Sequence, residues 1–242
     1  MTTRKKTAKK QDQSPKVHQS SKIKNLLTIK DIVLTEKQID LIQKIRDKDT
    51  KIIFVSGPAG TSKTYTSTLG GLHLLNDKKI GEIIYVRSAV ESADSKLGFL
   101  PGEVDDKMSP YIQPLLDKLS ELLNSQDVNK LKNENRIHGF PVNFLRGLNW
   151  DVKFIIADEA QNMTKKELVT LITRVGKFSK LIVCGDPDQS DITKSGFKQM
   201  AELFDDDESR KNGIFSYIFT EDDVVRSELV KFILKKLKNC KI

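Results

Sequence analysis

Five short apolar runs rich in β-branched residues recur along the 242-residue chain: KIIFVSG (51–57), EIIYVR (82–87), KFIIA (153–157), KLIVC (180–184) and IFSYIF (214–219). Runs this short and this continuously apolar suit strands buried on both faces rather than half-exposed ones. Between and around them lie stretches of helical periodicity at 36–46, 63–76, 110–124, 165–175, 196–204 and 226–238. Strand alternating with helix predicts an α/β fold, a parallel sheet covered by helices on both faces. In such sheets ligands bind beyond the carboxyl ends of the strands. Residues 88–150 hold no clear strand and read as a long insertion between the second and third strands.

Charge locates the domain boundary. Of 41 basic and 33 acidic residues, nine basic and one acidic (Asp12) fall within positions 1–30, so the rest of the chain is balanced and the net charge of +8 belongs to the N-terminus. Residues 1–25 are expected to form a disordered basic tail, because so few apolar groups cannot offset the entropy of ordering. The tail either meets nucleic acid through phosphate charge or simply aids solubility. Residues 26–242 are expected to form one domain. No apolar run is long enough to cross a membrane, and no secretory leader is recognisable. The two cysteines, Cys184 and Cys240, have no paired spacing, which suits a reducing, cytoplasmic compartment.

The first strand runs into GPAGTSKT, Gly57-Pro58-Ala59-Gly60-Thr61-Ser62-Lys63-Thr64, and then into a helical stretch. Strand, glycine loop and helix start together suit phosphate binding, through loop N–H groups and the helix dipole. Lys63 is expected to reach the β- and γ-phosphates, and Thr64 to hold Mg²⁺. Ser62 is expected to cap the helix with its hydroxyl, unless the position needs a positive φ. The third strand ends in Asp158-Glu159, a candidate Mg²⁺ ligand followed by a candidate general base. The fourth ends in Gly185-Asp186 with Gln189 close behind, a polar turn in which Gln189 is placed to sense the γ-phosphate or orient water. Gln38, near the start of the first helix, offers an amide to an adenine edge. Arg226, after an acidic cluster, is placed to stabilise γ-phosphate charge, or to pair with Asp222 or Asp223.

These stretches, together with RSAVESADSKLGFLPGEVDDKMSPYIQPL, FLRG, FIIADEAQNMT, TRVGKFSKLIVCGDPDQSDI and TEDDVVRSELV, resemble the PhoH-like ATPases, relatives of the superfamily-one helicase core. The resemblance runs from about Leu34 to Lys236. It implies a RecA-like P-loop NTPase with a five-stranded, mainly parallel sheet of order 5-1-4-3-2. It also implies ATP and Mg²⁺ as cofactors, ATP hydrolysis, and assembly into a ring such as a hexamer, with Arg226 serving its own or a neighbouring site. The chain departs from the family pattern in Ser62, where glycine is usual, in Arg87-Ser88, where Arg-Pro is usual, and in a shorter turn from Asp191 to Ser195. A compact single-domain version of this kind looks like those carried by phages, whose compartment is the host cytoplasm.

The expected partner is RNA or single-stranded DNA. Arg87, Lys96, Lys107, Arg136 and Arg146 are candidate backbone contacts, with Phe99, Tyr111 and Phe140 available for base stacking. The competing reading places Leu97, Phe99, Leu100, Tyr111, Leu115 and Leu116 in the core or a subunit interface, and it is favoured for the aromatic residues. The expected function is an ATP-hydrolysing, oligomeric, helicase-like protein. The alternatives are a nucleotide-gated RNA-binding scaffold with incidental turnover, and a small-molecule kinase, against which the two acidic strand ends argue.

Overall fold

Six apolar segments become strands: β1 Ile52–Ser56, β2 Glu82–Arg87, β3 Ile137–Pro141, β4 Lys153–Asp158, β5 Lys180–Gly185 and β6 Ile214–Ile218. The computed structural model of the chain describes residues 26–88, 104–145, 147–225, 229, 230, 232, 233 and 236, without the side chains of 104–109. The strands form one sheet in the order β3-β2-β4-β5-β1-β6, and every neighbouring pair is parallel. The fold is α/β and RecA-like. The expected five strands keep their order of 5-1-4-3-2, and a sixth, β3, is added beyond the second.

That sixth strand corrects the expectation that 88–150 hold none. Its sequence, IHGFP, carries a glycine in the middle and a proline at the end, both poor strand formers. Each has a positional reason. Pro141 is tolerated because β3 is an edge strand. Gly139 is required because a Cβ there would lie 2.7 Å from the Ile112 backbone N and 2.8 Å from its Cα. Helix α3 (Val104–Leu122) therefore packs against bare backbone at this point. With α4 (Ser125–Asn133) it leads into an extra strand within a segment expected to be strandless.

Alternation along the strands sorts side chains onto two cores. Ile53, Val55, Ile83, Tyr85, Phe154, Ile156 and Ile182 face α1 (Glu36–Arg46), α2 (Lys63–Asn76), α3 and α4. Phe54, Ile84, Val86, Ile155, Ala157 and Val183 face α5 (Lys165–Ile172) and α6 (Phe197–Leu203). A short helix α7 (Asp207–Lys211) precedes β6. Helices α1 and α2 keep the bounds read from sequence. The one expected at 226–238 lies mostly outside the described residues. Helix α1 starts at a capping box, in which Thr35 Oγ1 accepts from Gln38 N–H and Gln38 Oε1 accepts from Thr35 N–H. Among the described residues no helix is long and apolar enough to cross a membrane.

Register brings the chemistry to one edge. Ser56 pairs with Gly185 and Ile218, and Arg87 pairs with Asp158. The loops leaving β1, β4 and β5 thus emerge side by side at the carboxyl end of the sheet.

Candidate active site

Three loops and the start of α2 surround a cleft of about 640 Å³, within the size range of small-molecule sites. The loop from Gly57 to Thr64 forms its floor. Gly57 has φ of 154°, and a Cβ on it would meet Phe219 at 2.6 Å; Gly60 has φ of 88°. Both conformations favour glycine. Thr61 Oγ1 donates to Pro58 O at 2.9 Å and braces the turn. Lys63 Nζ donates to Gly57 O at 2.7 Å and to Pro58 O at 2.9 Å, so its ammonium lies folded over the loop.

Ser62 corrects an expectation. It sits in the left-handed region (φ 62°, ψ 28°) and makes no side-chain cap bond. The position has a positive φ, which glycine adopts more readily than serine, and the serine hydroxyl does not satisfy the helix end.

The strongest link across the site joins the loop to β4. Thr64 Oγ1 donates to Asp158 Oδ1 at 2.6 Å, and Tyr85 OH, from β2, donates to Asp158 Oδ2 at 2.5 Å. A hydroxyl that donates its proton keeps lone pairs for a metal. Hydroxyl plus carboxylate beside a phosphate cradle is a hard-oxygen set that suits Mg²⁺ held together with substrate phosphates. No cluster of three His, Cys, Asp or Glu suited to a metal exists among the described residues, so those residues offer no all-protein cage. Burial first, and then the neighbouring Asp158 charge, push the Tyr85 phenol above its ordinary range, which keeps it a proton donor. The Cys184 thiol is pushed up to about 12, first by burial and then by Asp158.

Glu159 follows with φ of 52°, another left-handed residue that is not glycine. Its Oε2 accepts from Gln161 Nε2 at 2.6 Å, while Gln161 Oε1 accepts from Asp186 N–H at 3.0 Å. Asp186 Oδ2 in turn accepts from Ala59 N–H at 3.0 Å. A chain of bonds therefore runs from the candidate base through Gln161 to the β5 loop and back to the phosphate loop. Gln189 lies in that β5 loop and lines the cleft. The loop is laced to the one after β4 by Asn162 and Asp191, which bond reciprocally at 2.7 and 2.8 Å.

The far wall is built from Ile32, Leu34, Gln38, Tyr65, Pro114 and Lys118. Gln38 is buried, and its carbonyl oxygen already serves the capping box, so its amide N–H₂ is the group left to face a ligand. Arg226 lies outside the described residues. Its predecessor, Val225, donates its N–H to Gly60 O at 2.9 Å, which places the chain against the phosphate loop one residue earlier. Asp223, considered as a partner for Arg226, is paired with Lys37 at 2.8 Å.

The nucleic-acid candidates fare differently. Arg136 is buried, bonded to Gly81 O and paired with Glu134 at 3.9 Å, so it is a structural arginine rather than a surface contact. Phe140 packs against Trp150 with ring centroids 6.3 Å apart, and Leu115 is fully buried, which favours the core reading for both. Leu116 packs against the helix-side core, Tyr111 is part-exposed, and Arg87 ends β2 at the functional edge. Lys96, Leu97, Phe99, Leu100 and Arg146 lie outside the described residues, as does the side chain of Lys107. Sequence reasoning missed Tyr85 and Gln161. The signal for Gln161 was its place two residues after Glu159. Tyr85 showed only as a polar-tipped aromatic within a buried strand.

The chain is similar to known proteins in both sequence and fold. The family described as "PhoH-like protein" matches residues 31–238. A PhoH-like protein of Bacillus subtilis (strain 168) is 37% identical over 191 residues, covering 78% of this chain and 58% of that protein. Protein PhoH of Escherichia coli (strain K12) is 34% identical over 199 residues, covering 80% of this chain and 54% of that one. The chain thus spans little more than half the length of these relatives. Among solved structures, the large terminase of a thermophilic bacteriophage aligns with a TM-score of 0.50 at 14% identity, over 85% of this chain and 50% of that one. The same terminase in complex with ADP aligns with a TM-score of 0.50 at 13% identity, over 84% and 49%. That likeness is one of fold. With a family match over most of its length and relatives above one-third identity, the chain belongs to the PhoH-like protein family.

Proposed function

We propose that the protein binds ATP with Mg²⁺ and hydrolyses it, as an oligomeric, helicase-like ATPase acting on RNA or single-stranded DNA in the cytoplasm. The observation that carries this reading is the 2.6 Å bond between Thr64 Oγ1 and Asp158 Oδ1. It ties a phosphate loop to an acidic strand end, the pairing that triphosphate hydrolysis needs. Thr64 and Asp158 would hold the metal, which neutralises phosphate charge as it develops. Lys63 exchanges its bonds to Gly57 O and Pro58 O for phosphate oxygens. Glu159 takes the proton of the attacking water, oriented by its bond to Gln161. Gln189 and Arg226 meet the γ-phosphate, and Gln38 offers its amide to the base.

The described residues form one sheet of this type, and a ring of copies would supply motion between subunits for directional work on a strand. The basic residues of positions 1–30 supply phosphate-directed charge. A second reading, a nucleotide-gated RNA-binding module with incidental turnover, is favoured by the Glu159–Gln161 bond, because it engages a carboxylate oxygen that an attacking water would otherwise meet.

The test is steady-state ATP hydrolysis with Mg²⁺, with and without single-stranded RNA. Lys63→Ala is expected to lose tight ATP binding. Glu159→Gln is expected to bind ATP and lower turnover by about 10²-fold or more. Wild-type turnover in Glu159→Gln would refute the general-base assignment. ATP binding without RNA-stimulated turnover in the wild type would move the second reading ahead.

A further inference from the structure

We propose that Tyr85 is a positioning residue for the metal, acting by holding the Asp158 carboxylate at its second oxygen. The inference rests on the reading of the cleft as a nucleotide–metal site and goes beyond the motif residues that carry it.

The terminal torsion of an aspartate joins sp³ to sp² carbon and has a broad, soft profile, so a single hydrogen bond to one oxygen leaves the carboxylate plane able to swing. Thr64 holds Oδ1 from the phosphate loop. Tyr85 holds Oδ2 at 2.5 Å from β2, the strand next to β4. Two donors from two different elements fix the plane.

Tyr85 is well built for this task. Its residue is fully buried, and its ring belongs to the helix-side core with Ile83, Phe154 and Ile156. Packing therefore sets where the hydroxyl lies, and the hydroxyl reaches the cleft wall that Asp158 shares. A carboxylate held this way presents Oδ1 and the Thr64 hydroxyl at a fixed separation. Magnesium demands near-ideal octahedral geometry, so it is sensitive to such preorganisation. Groups that orient a metal ligand typically change metal affinity by about 10- to 100-fold when removed.

Tyr85→Phe deletes the hydroxyl and keeps the ring. The experiment is an electron paramagnetic resonance titration of Mn²⁺ into the full chain with ADP, wild type beside Tyr85→Phe. A fluorescent ADP is also titrated in EDTA to show that the fold and the phosphate cradle survive. The expected result is near-equal metal-free ADP affinity and Mn²⁺ affinity weakened by about tenfold or more in the variant. Mn²⁺ affinity within about twofold of wild type would overturn the inference, since a phenol that merely satisfies itself in the core changes stability without changing metal affinity. Loss of metal-free ADP binding in the variant would also overturn it, by assigning Tyr85 to the cradle or the fold. If the wild type with ADP retains no Mn²⁺ beyond that held by free ADP, the nucleotide–metal reading itself fails.

Discussion

At the scale of single residues, the site holds two of the six non-glycine residues with positive φ among the described residues. Ser62 and Glu159, at the mouths of the β1 and β4 loops, both occupy the left-handed region. For an L-residue with a Cβ this costs about 1–2 kcal/mol. Such strain persists where surrounding structure over-determines it, and it clusters at functional sites. Ser62 gains no cap bond in return. Ser62→Gly is therefore expected to raise stability by about 0.5–1 kcal/mol, the relief of strain less the added freedom of the unfolded chain. For a chain of this size that is a melting rise of roughly 1–4 °C, read by calorimetry. A fall in melting temperature would show that the serine hydroxyl holds the loop after all.

At the scale of elements, the far end of the sheet carries its own lock. Glu82 of β2 meets Lys153 of β4 and His138 of β3, the latter at 3.2 Å, so one carboxylate ties three strands together. The bond from His138, together with the bond and charge of Lys153, outweighs burial and lowers the Glu82 carboxyl from 4.5 to about 2. A depressed folded value stabilises the native state above the unfolded pKa, and that contribution is lost as pH falls from about 4.5 towards 2. Glu82→Gln is expected to lower stability at about pH 7 and to flatten the loss between pH 4.5 and 2. Urea unfolding across that range reads both effects, and an unchanged acid limb would place the acid sensitivity elsewhere. The same region shows why an element can hide. IHGFP lacks the β-branched density that marked the other strands, because Gly139 answers to the nearness of α3 rather than to strand propensity.

At the scale of the whole molecule, charge and fold are separable. The body is balanced, and the surplus lies in positions 1–30. Removing residues 1–25 is expected to leave the melting temperature within about 2 °C, because the sheet and both cores lie beyond them. It is also expected to weaken RNA binding, with the slope of log K against log salt falling by about 0.7 for each phosphate the tail no longer neutralises. An unchanged slope in a filter-binding series would move the nucleic-acid surface onto the body, where Arg87 stands at the functional edge.

The five apolar strands, their parallel direction and the bounds of α1 and α2 were legible in the sequence, because buried parallel strands and capped helices are written in local pattern and short motifs; the strand order came from the family resemblance alone. So were the loop residues Gly57 to Thr64 and the acids Asp158 and Glu159, since each directly follows a recognisable strand. What required the tertiary structure was everything set by neighbours distant along the chain. Strand register placed Tyr85 against Asp158 across 73 positions. Helix approach turned a glycine-bearing segment into β3. Loop geometry put Ser62 where only a positive φ fits, and burial took Arg136 out of contention for a strand-binding surface. Local pattern records what a segment prefers; which atoms end up within hydrogen-bond reach is decided by packing between segments, and packing leaves little trace in either segment alone.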